Sequence, residues 1–427
     1  MGGVAGHLSH LHENLDFTFG EIKSILSSVA KADIEAIEKV DGQNVFFTWH
    51  AGTGRLHTAR NDTDIASGGM SPTEYASKWK GHPAEDAFMN GFKAIQRAIS
   101  NLDENTLIDI FGTNGDNWVN SEIMYHDNPN IFNYGGDWIV VHNMRTIGDA
   151  GDQTMNSSGF GALVSGIESA EAEIDAEGWR MSGPQMVALQ DLSDGGAFDD
   201  FVAELDGAAG MSDDATIGDY VEEQLRVGPV GRVPLPVHQQ EELIKMILDM
   251  EGAPSLKEFK KATPKEHHKV ISSMATKVNK RKLIAGVTLP VETAISNFAI
   301  EVLRGLKSFF ISDHDKEIAR WRQEVEESIQ ELEGAQGADA EKLAAVLEKQ
   351  ATKLGPIENI ASTMEGIVFE HPPGSQQLYK LTGTFAMSNQ LIGRARGAKY
   401  KREKEEAEPV DEAVLREYVR SWIGVMG

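Results

Sequence analysis

Strand patterns in two distant parts of the chain constrain its fold more than any other sequence feature. Short β-branched and aromatic segments, bounded by Gly and Asp turns, occur between residues 36 and 143 and again at residues 366–381. The intervening residues 237–355 carry helical periodicity and helix caps throughout. This order predicts an α+β protein with largely antiparallel sheets, interrupted by an all-helical insertion domain.

The individual elements follow from local periodicity and turn residues. The predicted strands are Ala36–Val40, Asn44–His50, Arg55–Arg60, Leu107–Phe111, Trp118–Tyr125, Trp138–Asn143, Gly366–Glu370 and Gln377–Leu381. The predicted helices are Thr18–Ala30, residues 72–100, His238–Met250, Leu256–Lys261, Pro264–Lys282, Pro290–Phe310, His314–Leu332, Ala338–Leu354 and Val410–Val425.

The middle of the chain is acidic. Residues 191–223 contain eleven acidic residues and no basic residue, a pattern typical of a solvated acidic face or a flexible insert. Pro and Gly in residues 227–236 predict a linker. The predicted segments are therefore residues 1–145, an acidic insert with its linker (146–236), the helical domain (237–355), a second strand region (356–396) and a charged C-terminal helix (397–427).

Charge limits the partners that the chain can bind. With 40 Lys and Arg against 66 Asp and Glu, the formal net charge is −26, which excludes a simple basic nucleic-acid coat protein. A polyanion could bind only through metal ions or a local basic patch, and Lys257–Lys282 holds nine basic and two acidic residues. This patch is either a solvated helix surface or a contact for a phosphate backbone. Its candidate contact residues are Lys260, Lys261, Lys277, Lys280, Arg281 and Lys282.

Cysteine is absent from the sequence. This excludes disulfides, Cys-based zinc sites, iron–sulfur clusters and thiol nucleophiles. There is also no apolar run of 18 residues and no secretory signal, so we expect no membrane partner and a cytoplasmic location.

One lysine stands where a nucleophile could act. Lys39 ends a predicted strand just before Asp41 and Gly42, so its amine can project into a cleft while Gly42 permits a tight turn. A neutral amine is needed for attack on a nucleotide α-phosphate, and the ordinary lysine pKa of about 10.4 must therefore be lowered by burial or nearby cations. Lys39 is the candidate catalytic residue.

Carboxylates must hold a divalent metal if pyrophosphate is to leave. Glu122 and Glu365 each lie within an apolar strand and are the candidate ligands for Mg²⁺ or Mn²⁺. Lys380 alternates with Tyr379 and Leu381, so it occupies the opposite strand face and could bind the α-phosphate.

The set of motifs resembles the covalent nucleotidyltransferase superfamily of polynucleotide ligases and capping enzymes. The sequence Glu38-Lys39-Val40-Asp41-Gly42-Gln43-Asn44 is similar to the E-K-x-x-G-x-N motif of nick-sealing RNA ligases from tailed phages and RNA-editing machinery. The resemblance covers roughly residues 30–145 and 361–385, and the opening residues also resemble tailed-phage proteins. It implies a nucleotidyltransferase domain of the ATP-grasp-like ligase type. Few residues follow Lys380, so no OB-fold is expected.

The resemblance also implies roles for single residues. Lys39 would carry AMP from ATP, Glu38 would recognise the adenine or its surroundings, and Asn44 would position the triphosphate. Asp41 and Gly42 complete the nucleotide-binding motif. Further nucleotide contacts are implied for Arg60, Glu122, His142, Glu365 and Lys380.

The sequence departs from this family at three points. The last family motif, K-x-K, reads Lys380-Leu381-Thr382, His142 stands where an aromatic residue usually stacks on adenine, and the spacing between His142 and Glu365 is long. The expected function is an ATP-dependent polynucleotide ligase, for RNA rather than DNA, that joins 5′-phosphate to 3′-OH ends in repair. The alternatives are a virion-associated or interaction protein with a degenerate fold, and a capping enzyme that uses GTP.

Overall fold

The structure, a computed structural model, describes residues 8–148, 153–175, 178–334 and 340–407. The strands are β1 (Ala36–Lys39), β2 (Gln43–His50), β3 (Arg55–Ala59), β4 (Asn117–Met124), β5 (Asp137–Ile147), β6 (Gln153–Met155), β7 (Trp179–Ser182), β8 (Met186–Val187), β9 (Gly366–Glu370) and β10 (Leu378–Leu381).

Helices account for most of the rest of the described chain. They are α1 (Phe19–Ala30), α2 (Asp62–Ala66), α3 (Pro72–Trp79), α4 (Glu85–Ser100), α5 (Glu104–Phe111), α6 (Ser157–Asp175), α7 (Ala197–Ala209), α8 (Ile217–Val227), α9 (Val237–Ile247), α10 (Leu256–Ala262), α11 (His268–Ala275), α12 (Lys277–Val287), α13 (Leu289–Leu303), α14 (His314–Glu333), α15 (Ala340–Leu354) and α16 (Phe385–Ala407).

The strands form two sheets. A four-stranded sheet has the order β10-β9-β1-β8, and every neighbouring pair is antiparallel. A six-stranded sheet has the order β3-β2-β4-β5-β6, and β7 pairs in parallel with β5. The prediction of a mixed α+β protein with antiparallel sheets is therefore confirmed.

The chain passes from one sheet to the other directly after Lys39. β1 belongs to the four-stranded sheet and β2 to the six-stranded sheet, and only residues 40–42 join them. Backbone packs closely at this crossing: a Cβ on Gly42 would lie 2.9 Å from the carbonyl oxygen of Ile123 and 3.0 Å from the Cβ of Glu122. A residue with a side chain would displace β4 here.

Each sheet covers a separate hydrophobic core. Helices α1, α7, α8 and α13 pack with the four-stranded sheet, around side chains that include Phe19, Tyr220, Phe298 and Phe369. Helices α3, α4 and α5 cover the six-stranded sheet, where Phe47 is fully buried. Burial of these apolar side chains is the main term that stabilises the arrangement.

The acidic stretch is folded into the first of these cores. Of the two alternatives predicted for residues 191–223, the flexible insert is wrong, because α7 and α8 bury Phe201, Leu205 and Tyr220. The acidic residues of these helices lie on the opposite, solvated faces, as the other alternative predicts. Likewise the predicted linker 227–236 is packed, since Val230, Val233 and Leu235 are buried.

Three other sequence predictions are corrected. The predicted strand Leu107–Phe111 is the helix α5, because Asp103 caps its N-terminus by accepting hydrogen bonds from the amides of Asn105 and Thr106. The predicted helix over residues 72–100 is broken into α3 and α4. The predicted helix Pro290–Phe310 ends at Leu303, and Gly305 has a φ of +76°.

The chain forms two compact units. One comprises the residues up to Ser312 together with Met364–Gly383; the other comprises Asp313–Thr363 and the residues from Thr384 onward. Residues 237–355 are therefore not one domain: α9–α13 belong to the first unit, and α14 and α15 belong to the second. The predicted strand region 356–396 is also divided, because α16 begins at Phe385.

The second unit is helical, and Trp321 of α14 is buried near Phe385, with ring centroids 6.2 Å apart. The predicted helix Val410–Val425 lies outside the described residues.

Among the residues described, no single helix has the length and apolar character needed to cross a membrane. Helices α12 and α13 meet these two criteria only when they are taken together, and the angle between them is 63°.

Candidate functional site

β1 and the start of β9, which are more than 300 residues apart in the sequence, meet at Lys39. Antiparallel pairing of β1 with β9 places Lys39 opposite Gly366. Glu365, the residue before Gly366, is therefore close to Lys39. The Nζ of Lys39 lies 2.7 Å from Oε1 of Glu365, and the two side chains are only 16% and 12% exposed. A candidate nucleophile and a candidate metal ligand therefore share one buried ion pair.

The surrounding charges hold Lys39 in its ammonium form. Burial works against that charge, but the carboxylates of Glu365 and Glu122 outweigh it, with a smaller contribution from Asp41, and together they raise the pKa of Lys39 above its ordinary value. We call these four residues the Lys39 cluster. In this state the Lys39 amine is a cation and not a nucleophile.

Glu122 reaches the cluster from the other sheet. Its Oε2 accepts a hydrogen bond of 3.1 Å from the amide of Gly42, which fixes the carboxyl group at the crossing between the sheets. Burial raises the pKa of Glu122, and the negative charges of Glu365 and Asp41 act in the same direction. A cation placed here would relieve this mutual repulsion.

His142 lies beside Glu122 but does not pair with it. Burial, and then the charge of Lys39, lowers the pKa of His142 to about 3, so the imidazole is neutral near pH 7. Its Nε2 lies 3.9 Å from Oε1 of Glu122, which is too long for a hydrogen bond, and this nitrogen is buried without a partner. A neutral ring with an unsatisfied nitrogen is suited to contact a ligand base.

Asp41 has a largely structural set of partners. Its Oδ2 accepts hydrogen bonds from the amides of Ile131 (2.6 Å) and Phe132 (3.2 Å), and its own amide donates to the hydroxyl of Tyr134 (2.7 Å). Burial and the charge of Glu365 raise the pKa of Asp41 to about 6. Tyr134 was not predicted from the sequence, because no local pattern links it to a residue almost a hundred positions earlier.

Lys380 also reaches this region. It lies on β10 opposite Val368 and is buried. Burial, and then the positive charge of Lys39, lowers the pKa of Lys380 to about 8. It is thus a second buried cation within electrostatic range of Lys39 and Glu365.

Glu38 faces away from the cluster, as strand alternation requires. Its Oε2 accepts a hydrogen bond of 2.9 Å from the amide of Phe309, and the hydroxyl of Ser308 is a further partner. Burial raises the pKa of Glu38 to about 7. The structure does not bring Glu38 together with Lys39, although the two are adjacent in sequence.

Asn44 lies on β2 of the six-stranded sheet, and Arg60 directly follows β3 of the same sheet. Asn44 is paired with Glu122 across β2 and β4, and its amide group donates to Oδ1 of Asn120 (2.6 Å). The guanidinium of Arg60 lies over the rings of Trp79 and Phe88, at 5.5 and 5.0 Å. Burial lowers the pKa of Arg60, and Glu122 is among the groups that oppose this shift.

The predicted basic patch, Lys257–Lys282, extends from α10 to α12, and its candidate contact residues lie on these two helices. Lys261, Lys277, Arg281 and Lys282 are exposed, and none of them forms an ion pair with any residue that the structure describes. Lys280 differs, because its Nζ lies 2.7 Å from Oδ1 of Asp249. The unpaired cations remain available for an anionic partner.

A complete protein-only metal site is not present among the described residues, which contain no group of three or more His, Asp or Glu side chains arranged to hold an ion. Glu122 and Glu365 are nevertheless a suitable pair for Mg²⁺, which commonly binds through one or two carboxylates and completes its shell with phosphate oxygens and water. The donor chemistry fits a metal that arrives with a nucleotide.

Comparisons with protein-family models, with curated proteins and with solved structures found no match for this chain.

Proposed function

We propose that this chain is an ATP-dependent polynucleotide ligase with a covalent nucleotidyltransferase fold, acting on RNA in preference to DNA. The observation that carries the proposal is the 2.7 Å contact between Lys39 Nζ and Glu365 Oε1. Two motifs from opposite ends of the sequence meet there, in the order that the ligase resemblance implies. Glu122 and Lys380 lie within electrostatic range of the same amine.

In the first step, Lys39 must lose a proton before it can react. The negative charges of Glu365 and Glu122 are what raise its pKa, so neutralising them favours the free amine. Mg²⁺ held by these carboxylates together with the ATP phosphates would supply that neutralisation. After giving its proton to water, the neutral Nζ of Lys39 would form a bond to the α-phosphorus of ATP as the bond from that phosphorus to the pyrophosphate oxygen breaks, and pyrophosphate departs.

Two further steps complete the proposed reaction. The AMP group passes from Lys39 to the 5′-phosphate of one strand, and the 3′-OH of the other strand displaces AMP. Lys380, a buried cation, would bind the negative charge of the α-phosphate. The unpaired cations of α10 and α12 would hold the polynucleotide backbone.

The first prediction concerns the covalent step. Incubation with ATP and Mg²⁺ should add the mass of one AMP to the intact protein, and pyrophosphate should remove it. Lys39→Ala should abolish the added mass because it removes the nucleophile, whereas Lys31→Ala, at an exposed lysine before β1, should retain it.

Other outcomes discriminate between the alternatives. An adduct formed from GTP in preference to ATP would indicate a capping-type guanylyltransferase. A well-folded protein that forms no adduct with either nucleotide would refute the enzymatic proposal and favour an interaction protein.

A further inference from the structure

The segment after α13 exposes a cation and an aromatic ring next to β1. From Leu306 to Phe310, alternate side chains point in opposite directions: Leu306, Ser308 and Phe310 are buried, whereas Lys307 and Phe309 are exposed. The Phe309 side chain is 62% exposed, which is unusual for a ring of this size.

This segment is held at a defined position and is not a free loop. Glu38 of β1 accepts a hydrogen bond from the amide of Phe309, and the buried ring of Phe310 lies 5.0 Å from the ring of Trp138. The backbone of Phe309 is therefore fixed beside β1, on the strand face opposite the Lys39 side chain.

An aromatic–cation pair also packs against Phe310. Trp138 of β5 is half-buried, and the guanidinium of Arg180 lies over its ring at 5.1 Å, because β7 pairs with β5 so that these two residues are opposite each other. The rings of Phe309 and Phe310 are 5.2 Å apart. The rings of Phe309 and Trp138 thus both pack against Phe310, and we call Lys307, Phe309, Trp138 and Arg180 the Phe309 surface.

We propose that the Phe309 surface binds the unpaired bases of a single-stranded polynucleotide end. Exposed aromatic rings accompanied by Lys and Arg are how proteins bind single strands, through base stacking and contact with phosphates. The two cations also suit an anionic ligand on a chain whose net charge is −26. The choice of a polynucleotide rests on the proposed ligase function.

The test is binding of a labelled short single-stranded RNA, measured by fluorescence anisotropy without ATP. Phe309→Ala should weaken binding about tenfold, the effect expected from loss of one stacked base, whereas Phe309→Tyr should stay within about twofold of the unaltered protein. Val237→Ala, which truncates an apolar side chain that is 73% exposed elsewhere in the same unit, is the matched control and should have no effect.

An abasic strand of equal length separates stacking from charge. It should bind more weakly than the RNA and should be insensitive to Phe309→Ala. Equal binding of the two strands by the unaltered protein, or equal affinity of Phe309→Ala and unaltered protein for RNA, would overturn the proposal.

Failure of this inference is distinguishable from failure of the ligase proposal. Phe309 does not contact Lys39, so Phe309→Ala should still acquire the AMP mass. An adduct without any Phe309-dependent binding would refute only the stacking surface. Phe309-dependent binding by a protein that forms no adduct would refute only the ligase.

Discussion

Lys39 and Glu365 form a buried ion pair in which each charge is stabilised by the other. Removal of charged groups from water is costly, and the cost is recovered only while both partners are present. Glu122 and Asp41 add negative charge around the same amine, so the pair belongs to a larger cluster. Single substitutions should therefore be more harmful than a double substitution that removes both partners.

We expect Glu365→Gln to lower the free energy of unfolding by about 2 kcal/mol or more, because it leaves the Lys39 cation without its nearest carboxylate. The double variant Lys39→Met/Glu365→Gln should recover part of that loss. Urea denaturation of both single variants and the double variant gives the coupling energy. Strictly additive losses would contradict a direct pair.

Glu38 predicts a pH dependence of stability. Its pKa is raised by burial from 4.5 to about 7 in the folded chain, so between these values the folded state binds more protons than the unfolded state. The contribution of Glu38 is therefore fully present below about pH 4.5 and is lost as the pH rises toward 7.

Glu38→Gln removes this titration and keeps the hydrogen bond acceptor for Phe309. Relative to the unaltered protein, its stability should improve between pH 5 and pH 8 by up to about 3 kcal/mol. Thermal or urea unfolding at both pH values measures the change, with Glu35→Gln, at an exposed position on the same segment, as the control. A difference that is independent of pH would show that Glu38 is ionised throughout.

Local motif residues of the site could be predicted from the sequence, but their partners could not. Lys39, Gly42 and Glu365 stand out because strand ends and Gly turns leave a pattern in neighbouring residues. The contacts of Tyr134 with Asp41, and of Ser308 and Phe309 with Glu38, join distant segments. Nothing in either local sequence specifies such a pairing, which depends on tertiary packing.

The pairing of β9 with its neighbours depends on a glycine opposite Lys39. A Cβ at Gly366 would lie 2.3 Å from the carbonyl oxygen of Leu381, well inside van der Waals contact. β9 is the strand between β1 and β10, so displacement of its first residue affects both ladders.

We expect Gly366→Ala to destabilise the protein by about 1–3 kcal/mol, the usual cost of inserting a methyl group where there is no space. Gly52→Ala, in the turn between β2 and β3, is the matched control because no atom lies within 4 Å of its added Cβ. Thermal unfolding of the two variants tests this. Equal stability would show that β10 can shift at little cost.

The amphipathic strands can be predicted from the sequence, whereas the acidic helices cannot. Seven of the eight predicted strands are present, with ends shifted by a few residues. The exception is Leu107–Phe111, whose apolar run predicts a strand although these residues form α5, capped by Asp103. A helix needs an apolar residue only at every third or fourth position to form a buried face. Over residues 191–223 the many acidic residues make this spacing in α7 and α8 difficult to recognise from the sequence.

The net negative charge of the chain disfavours binding of polyanions, so an exposed cluster of basic residues is a candidate site for an anionic partner. Against a net charge of −26, the exposed Lys277, Arg281 and Lys282 of α12 form no ion pair within the described part of the chain. If they bind a phosphate backbone, each contact releases counterions, and affinity falls steeply with salt.

Reversal of these three charges to Glu should weaken polynucleotide binding and make it less sensitive to salt. The slope of log affinity against log salt should fall by about 0.7 to 0.9 for each lost contact. Lys280→Glu is less suitable because Asp249 already pairs with that lysine, so Lys349→Glu in α15 is the better control. An unchanged slope would show that these three residues do not contact the phosphate backbone and are ordinary solvated surface residues.

The position of β9 late in the chain has a consequence for synthesis on the ribosome. β1 emerges early, yet one of its two edges is covered only when β9 is made, and Lys39 gains its closest carboxylate at the same moment. A nascent chain that stops before that point would expose an unpaired strand edge and an ammonium group without its closest carboxylate, so the cluster cannot assemble until β9 has been made.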